Sequence, residues 1–155
     1  CHDKQAPMSA RPPSGKPFDL DRFLPYLLNQ AGERTGKKFE PAYREAHGFS
    51  RTQWRILAHL GSYGELTAAT VSRRSNTEKS KVSRAVAALE EGGWLERVAA
   101  DDRRAELLRL TETGRALFDG LAEQAVAFDR ALRKSLGAEQ AQALETMLRQ
   151  LAAEE

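Results

Sequence analysis

Two short clusters in this 155-residue chain carry side chains suited to reading a polyanion. The first is Thr77, Ser80, Lys81, Ser83 and Arg84; the second is Asp102, Arg103 and Arg104. Small hydroxyl side chains let a helix come close to base edges, while Lys and Arg reach phosphates and the acceptors of guanine. At about 100° per residue, Thr77, Ser80 and Arg84 share one side of a helix, with Lys81 and Ser83 on its flanks. Val82, Val86 and Leu89, spaced four and three apart, share the opposite side, the one a core would cover. Charge is placed to match. Between Arg73 and Arg84 five residues are basic and one is acidic, whereas from Glu112 to Glu155 five are basic and eight acidic. The formal net charge of +2 says little; its distribution points to a basic reading head and an acidic tail.

Such a head needs elements to position it. Asn76 is expected to cap the helix that carries the first cluster, its side-chain oxygen accepting free N–H groups of the first turn. Thr67 is expected to cap a shorter helix before it, with Leu66 and Val71 as a hydrophobic staple. A short helix, a turn at Ser75-Asn76 and a longer basic helix make a helix-turn-helix. Gly92-Gly93 should end that second helix. Trp94 to Val98 and Glu106 to Leu110 read as strands around the charged turn Ala100 to Arg104, which makes the hairpin a wing.

Upstream, Asp19 to about His47 reads as helical with interruptions. Leu20, Phe23, Leu24, Leu27, Leu28 and Ala31 form an apolar stripe, and Pro25 sits in the first turn or kinks the helix. Gly32, Gly36 and Pro41 weaken the second half, which leaves two helices as an alternative to one. Ser50 and Gln53 form a capping box with Phe49 and Trp54 as its staple; Trp54, Ile56, Leu57 and Leu60 are core candidates, and Ser62 to Glu65 a turn. Downstream, Thr111 caps a long helix with the stripe Leu117, Leu121, Ala125, Phe128, Leu132 and Leu136. Gly137 interrupts it, and Ala141, Leu144, Met147, Leu148 and Leu151 continue the pattern in a last helix. These two C-terminal helices have no core of their own to cover; packing with the N-terminal helix of a second copy is the economical solution, and an intramolecular bundle in a monomer is the alternative.

The motifs Val82-Ser83-Arg84, Leu89-Glu90-Glu91-Gly92, Leu95-Glu96-Arg97, Asp102-Arg103-Arg104 and Leu110-Thr111-Glu112-Thr113-Gly114 resemble, in order and spacing, the MarR family of bacterial transcription regulators over roughly Phe49 to Leu117. The wing, Asp-x-Arg with Leu-Thr-x-x-Gly behind it, is the most specific part. Lys81 departs from the pattern, since the family more often has a small residue there, and this leaves the bases read open. The resemblance implies a mainly α (α+β) fold, a winged helix-turn-helix with a small β-hairpin wing. The N- and C-terminal helices would form a helical dimerisation region. The expected organisation is a disordered tail over 1–17, dimerisation helices over 18–48, the DNA-binding domain over 49–111 and further dimerisation helices over 112–155. The implied partners are double-stranded DNA carrying a pseudo-palindromic operator, a second copy of the chain, and a small phenolic or anionic effector. Recognition helices of a two-fold dimer enter successive major grooves about 34–36 Å apart. Arg104 would enter the narrow minor groove of A·T tracts, held by Asp102, with Arg103 on phosphate. Repression is the commoner outcome in the family. Tyr26, Phe39, Tyr43, His47 and Trp54 are candidates to line an effector site, but each reads first as core.

Other classes are poorly served. His2, His47 and His59 are scattered, with no catalytic triad, glycine-rich phosphate loop or zinc-ligand spacing, so neither an enzyme, a metal nor a cofactor is expected. The single cysteine, Cys1, forms no disulfide within the chain, and a thiol in a polar tail lacks the electropositive setting of a redox sensor. Met8 is the expected natural start. No apolar run spans a membrane and no signal-peptide pattern opens the chain, which suggests a cytoplasmic protein. A non-specific architectural DNA binder is the alternative reading.

Overall fold

The computed structural model describes residues 17–102 and 104–153. Arg103 and, but for Pro17, the tail with Cys1 and Met8 lie outside the described residues. The chain divides into two compact units, one ending at Lys38 and the other beginning at Phe39.

In the first unit a 3-10 turn, Leu20–Arg22, is capped by Asp19, whose carboxylate accepts the Asp21 N–H at 3.1 Å. Helix α1 follows over Leu24–His47 and runs into the second unit. Pro25 falls in its first turn, where its missing N–H would have no partner anyway. The interruption expected at Gly32 and Gly36 does not occur. A helix glycine costs only about 1 kcal/mol, and Leu27, Leu28, Ala31, Arg34 and Lys37 around them are good helix formers. Pro41 also lies inside α1; beyond it, buried Tyr43 is anchored in the core of the second unit, which offsets the proline's cost of about 3 kcal/mol.

The second unit is built around α2 (Arg51–Tyr63), which packs against α3 (Ala68–Ser75), α4 (Lys79–Glu91), α5 (Glu112–Leu136) and the hairpin strand β2 (Glu106–Leu110). The capping box fixes its start: Ser50 Oγ accepts the Gln53 N–H at 3.2 Å, and Gln53 Oε1 accepts the Ser50 N–H at 2.7 Å. Ile56, Leu57 and Leu60 then point inward with Val71, Val86, Leu89 and Leu121 to make the main core. Each such side chain contributes about 1.5–3 kcal/mol by leaving water. α2 runs on through Ser62 and Tyr63, where a turn was expected, and stops at Gly64, whose φ of 81° favours glycine.

Strands β1 (Leu95–Ala99) and β2 are antiparallel, with Leu95 opposite Leu110 and Arg97 opposite Leu108. The segment before α3 joins the hairpin's base: Leu66 and Leu108 exchange backbone hydrogen bonds of 3.1 and 2.8 Å. Thr111 caps α5 by accepting the Gly114 N–H, and Gly137 (φ 90°) separates α5 from α6 (Ala138–Ala152). The fold is thus mostly helical, six α-helices and one hairpin among the described residues. No helix of the described residues is long and apolar enough to cross a membrane.

Candidate nucleic-acid interface

The turn between α3 and α4 sets where α4 begins. Ser72 is buried, and its hydroxyl donates to the Thr77 carbonyl at 2.6 Å, tying the end of α3 to the chain entering α4. Asn76 does not cap α4 as expected. It closes α3 in the left-handed conformation, φ 50° and ψ 45°, its N–H directed at the Arg73 and Ser72 carbonyls. Asparagine suits either end of a helix, because its short polar side chain tolerates the left-handed region as well as capping an N-terminus. α4 therefore begins at Lys79, after Glu78, which makes no side-chain cap hydrogen bond. Thr77 lies in the turn, half-buried, with its hydroxyl donating to the Ser75 carbonyl at 3.2 Å.

Along α4 the two sides separate cleanly. Val82, Ala85, Val86 and Leu89 are buried, whereas Ser80, Lys81, Ser83 and Arg84 are exposed. With the helix starting later than expected, Lys79 joins this outer region on the Ser83 side; both border a cavity of about 260 Å³ together with Ala68 and Arg97. Misplacing the cap hid Lys79, since it then seemed to lie inside the helix rather than at its mouth. Arg73 and Arg74 are also exposed at the end of α3, and the Arg74 guanidinium lies 4.4 Å from the centre of the Tyr63 ring.

The hairpin tip is turned by its backbone: the Ala105 N–H donates to the Asp102 carbonyl at 3.0 Å and the Ala100 N–H to Ala105 at 3.2 Å. Asp102 and Arg104 are exposed. They meet through the Arg104 backbone N–H, which reaches the Asp102 carboxylate at 3.4 Å, where a guanidinium contact had been expected. Arg103 lies outside the described residues.

Below the tip the sequence reading missed an ion network. Arg97 Nε donates to Glu90 Oε2 of α4 at 2.6 Å and Arg97 Nη1 to Glu106 Oε2 of β2 at 3.0 Å. The Glu90 and then the Glu106 hydrogen bond push the guanidinium above its ordinary pKa. On the other face of the hairpin Arg109 Nε donates to Glu96 at 2.7 Å, and its Nη1 lies 3.6 Å from Glu65. The signal was the alternation Glu96-Arg97 against Glu106 and Arg109, a cross-strand charge pattern.

A short helix latched to an exposed polar helix, followed by a hairpin pinned at its base, defines a winged helix-turn-helix protein. Residues 47–105 match the MarR family. A MarR family transcriptional regulator from Silicibacter pomeroyi DSS-3 is 30% identical and superposes with a TM-score of 0.77 over 86% of this chain and 96% of that one. NadR, solved in complex with 4-hydroxyphenylacetate, is 25% identical, with a TM-score of 0.75 over 84% of this chain and 95% of its own. The HTH-type transcriptional regulator YwoH of Bacillus subtilis (strain 168) is 27% identical over 113 residues, 73% of this chain and 82% of that protein. The chain belongs to the MarR family of transcriptional regulators.

Proposed function

We propose that this regulator binds a pseudo-palindromic operator as a homodimer, represses transcription, and leaves DNA when a small phenolic or anionic ligand binds. The observation that carries the reading is the division of α4, with Val82, Val86 and Leu89 buried and Ser80, Lys81, Ser83 and Arg84 exposed. In this reading those four residues face the major groove, Thr77 lies at the entry of the helix, and Lys79 approaches the backbone. Arg104 enters the adjacent minor groove, with Asp102 shaping the tip and Arg103 on phosphate. The resulting dimer would have a basic surface on each of its two reading heads.

Dimerisation is supported by apolar surface left open on the C-terminal helices. Leu136, Leu144, Met147, Leu148 and Leu151 are exposed, and a groove of about 440 Å³ runs between α5 and α6 over Leu132, Leu136, Leu144 and Leu148. Exposed apolar side chains gathered along one groove, with Asp129, Arg133, Glu145 and Arg149 also lining it, suit an interface. In the first unit Phe18, Leu20, Phe23, Leu24, Leu27 and Leu28 are exposed as well. An anionic phenol as effector is supported by the 4-hydroxyphenylacetate bound to NadR. Phe39, Tyr43 and Trp54 pack ring against ring at 5.3 to 5.9 Å, which supports reading them as core first.

The test is a gel shift with the duplex best selected from a random-sequence library against a scrambled duplex of equal length. A specific regulator is expected to prefer the former by roughly 10³-fold or more. A ratio near one would instead indicate an architectural binder held by phosphate contacts alone.

A further inference from the structure

We propose that Arg97 is a positioning residue for the wing: by joining Glu90 of α4 to Glu106 of β2, it sets the angle at which the hairpin tip is presented beside the recognition helix, without touching DNA. The inference rests on the DNA-reading role proposed above.

Three observations carry it. The first is where Arg97 sits. The base of the hairpin is held by buried Leu95 and Leu108 and by the Leu66–Leu108 bridge, but toward the tip Val98 is half-buried and Ala99 and Asp101 are exposed. Glu106 lies opposite Ala99, diagonal to Arg97 on the tip side, so the ion group clamps the hairpin beyond the last fully buried residue. The second is bond geometry. Two different nitrogens of one planar guanidinium reach two carboxylates on separate elements at 2.6 and 3.0 Å, a fixed fork that an ammonium cannot reproduce. The third is charge. One cation faces two carboxylates, which already take its Nε and Nη1 donors, so its charge is largely spent inside the protein rather than offered to a phosphate. That argues for positioning rather than contact.

Leverage makes the placement matter. From Arg97 to Asp102 is five residues, roughly 17 Å of extended chain, so a 10° change of pitch moves the tip by about 3 Å, on the scale of a hydrogen bond. A two-stranded hairpin is otherwise marginal by itself.

The experiment uses the full chain and Arg97→Ala, Arg97→Lys and Glu106→Gln. Affinity is measured for the library-selected duplex with flanks changed to A·T or G·C pairs, over a range of salt, and hydrogen exchange of the 95–110 amides is followed without DNA. For Arg97→Ala the flank preference should fall about fivefold, the scale of one well-placed ion group, while the slope of log affinity against log salt stays at the wild-type value. Hairpin amides should exchange faster in the free protein. Arg97→Lys should recover only part of the preference. Glu106→Gln, a mild change at an exposed site, should lower it in the same direction and serves if Arg97→Ala fails to fold. Unchanged flank preference in Arg97→Ala or, should that variant not fold, in Glu106→Gln would overturn the positioning role alone. So would a salt slope about one unit shallower, since that marks a lost phosphate contact. If wild-type protein itself ignores the flanks, the wing reading fails and this inference with it.

Discussion

Helices α4 and α6 are similar in length and both amphipathic, yet they end up differently. α4 buries Val82, Ala85, Val86 and Leu89 to 8% exposure or less, because α2, α3 and β1 surround its apolar side. α6 buries one residue, Ala141; Leu144, Met147, Leu148 and Leu151 remain 38–67% exposed, and its packing partner is α5. The contrast teaches that an apolar stripe reports a side needing cover but not what supplies it. For α4 the cover comes from the same chain, which leaves the opposite side exposed, the side proposed to face DNA. For α6 it is left to something else, and a second copy of the chain is the proposed occupant.

The largest expected effect comes from spoiling the open side. Leu148→Asp should convert the proposed dimer to a monomer in sedimentation velocity, with the helical circular dichroism retained. Operator affinity should then drop by roughly 10²–10⁴-fold, the gain that bivalent binding gives. If the variant sediments and binds as wild type does, α6 is not the dimer seam.

Spoiling the closed side should instead damage the fold. Leu89→Ala, at a fully buried site, is expected to cost about 2–5 kcal/mol in urea unfolding. Leu151→Ala, at 67% exposure, should leave stability unchanged at protein concentrations too low for association. Equal losses from the two would erase the distinction between the helices. Gly114→Ala probes the joint between the wing and α5: Gly114 is buried in the first turn of α5, and a Cβ there would run into the Trp94 carbonyl. Overpacking of this kind costs roughly 1–3 kcal/mol. Because the obstacle is backbone that also accepts the Thr111 N–H at 3.2 Å, relief would have to move the start of β1. A melting temperature unchanged by the substitution would show that the joint gives way freely.

This same glycine shows what was legible in the sequence. Leu-Thr-x-x-Gly was recognisable as a pattern, and Thr111 as a cap, from residue types alone, because a cap is a local arrangement. The Ser50 and Gln53 box, the Gly92-Gly93 stop and both strands, β1 displaced by one residue, were readable for the same reason. The need for glycine at position 114 was not, since it arises from the carbonyl of a residue twenty positions earlier. Asn76 failed differently: its local chemistry permits two roles, and the left-handed one goes with the Ser72 hydroxyl bond to the Thr77 carbonyl five residues on, a pairing that residue types alone do not announce. At the candidate interface the exposed residues of α4 followed from periodicity, whereas Lys79 and the Arg97 network depended on where the helix starts and how the hairpin folds back on it.

The smallest effect is electrostatic and belongs to the α5–α6 pair. Glu145 accepts from Arg133 at 2.8 Å and from Arg149 at 2.9 Å. These two hydrogen bonds, the Arg133 one first, lower its pKa below the ordinary carboxylate value. A carboxyl whose folded pKa is depressed stabilises the folded state above its unfolded pKa, about 4.3, and that stabilisation is lost as pH falls through the folded pKa. Glu145→Gln should therefore lower the urea midpoint slightly at pH 7 and leave it equal to wild type well below pH 4. The cluster is partly open to solvent, so added salt should shrink the difference too. A gap that persists at low pH would mean that Glu145 acts through packing on the α5–α6 hairpin rather than through charge. Its loss would then belong with Leu148, as damage to the open side itself.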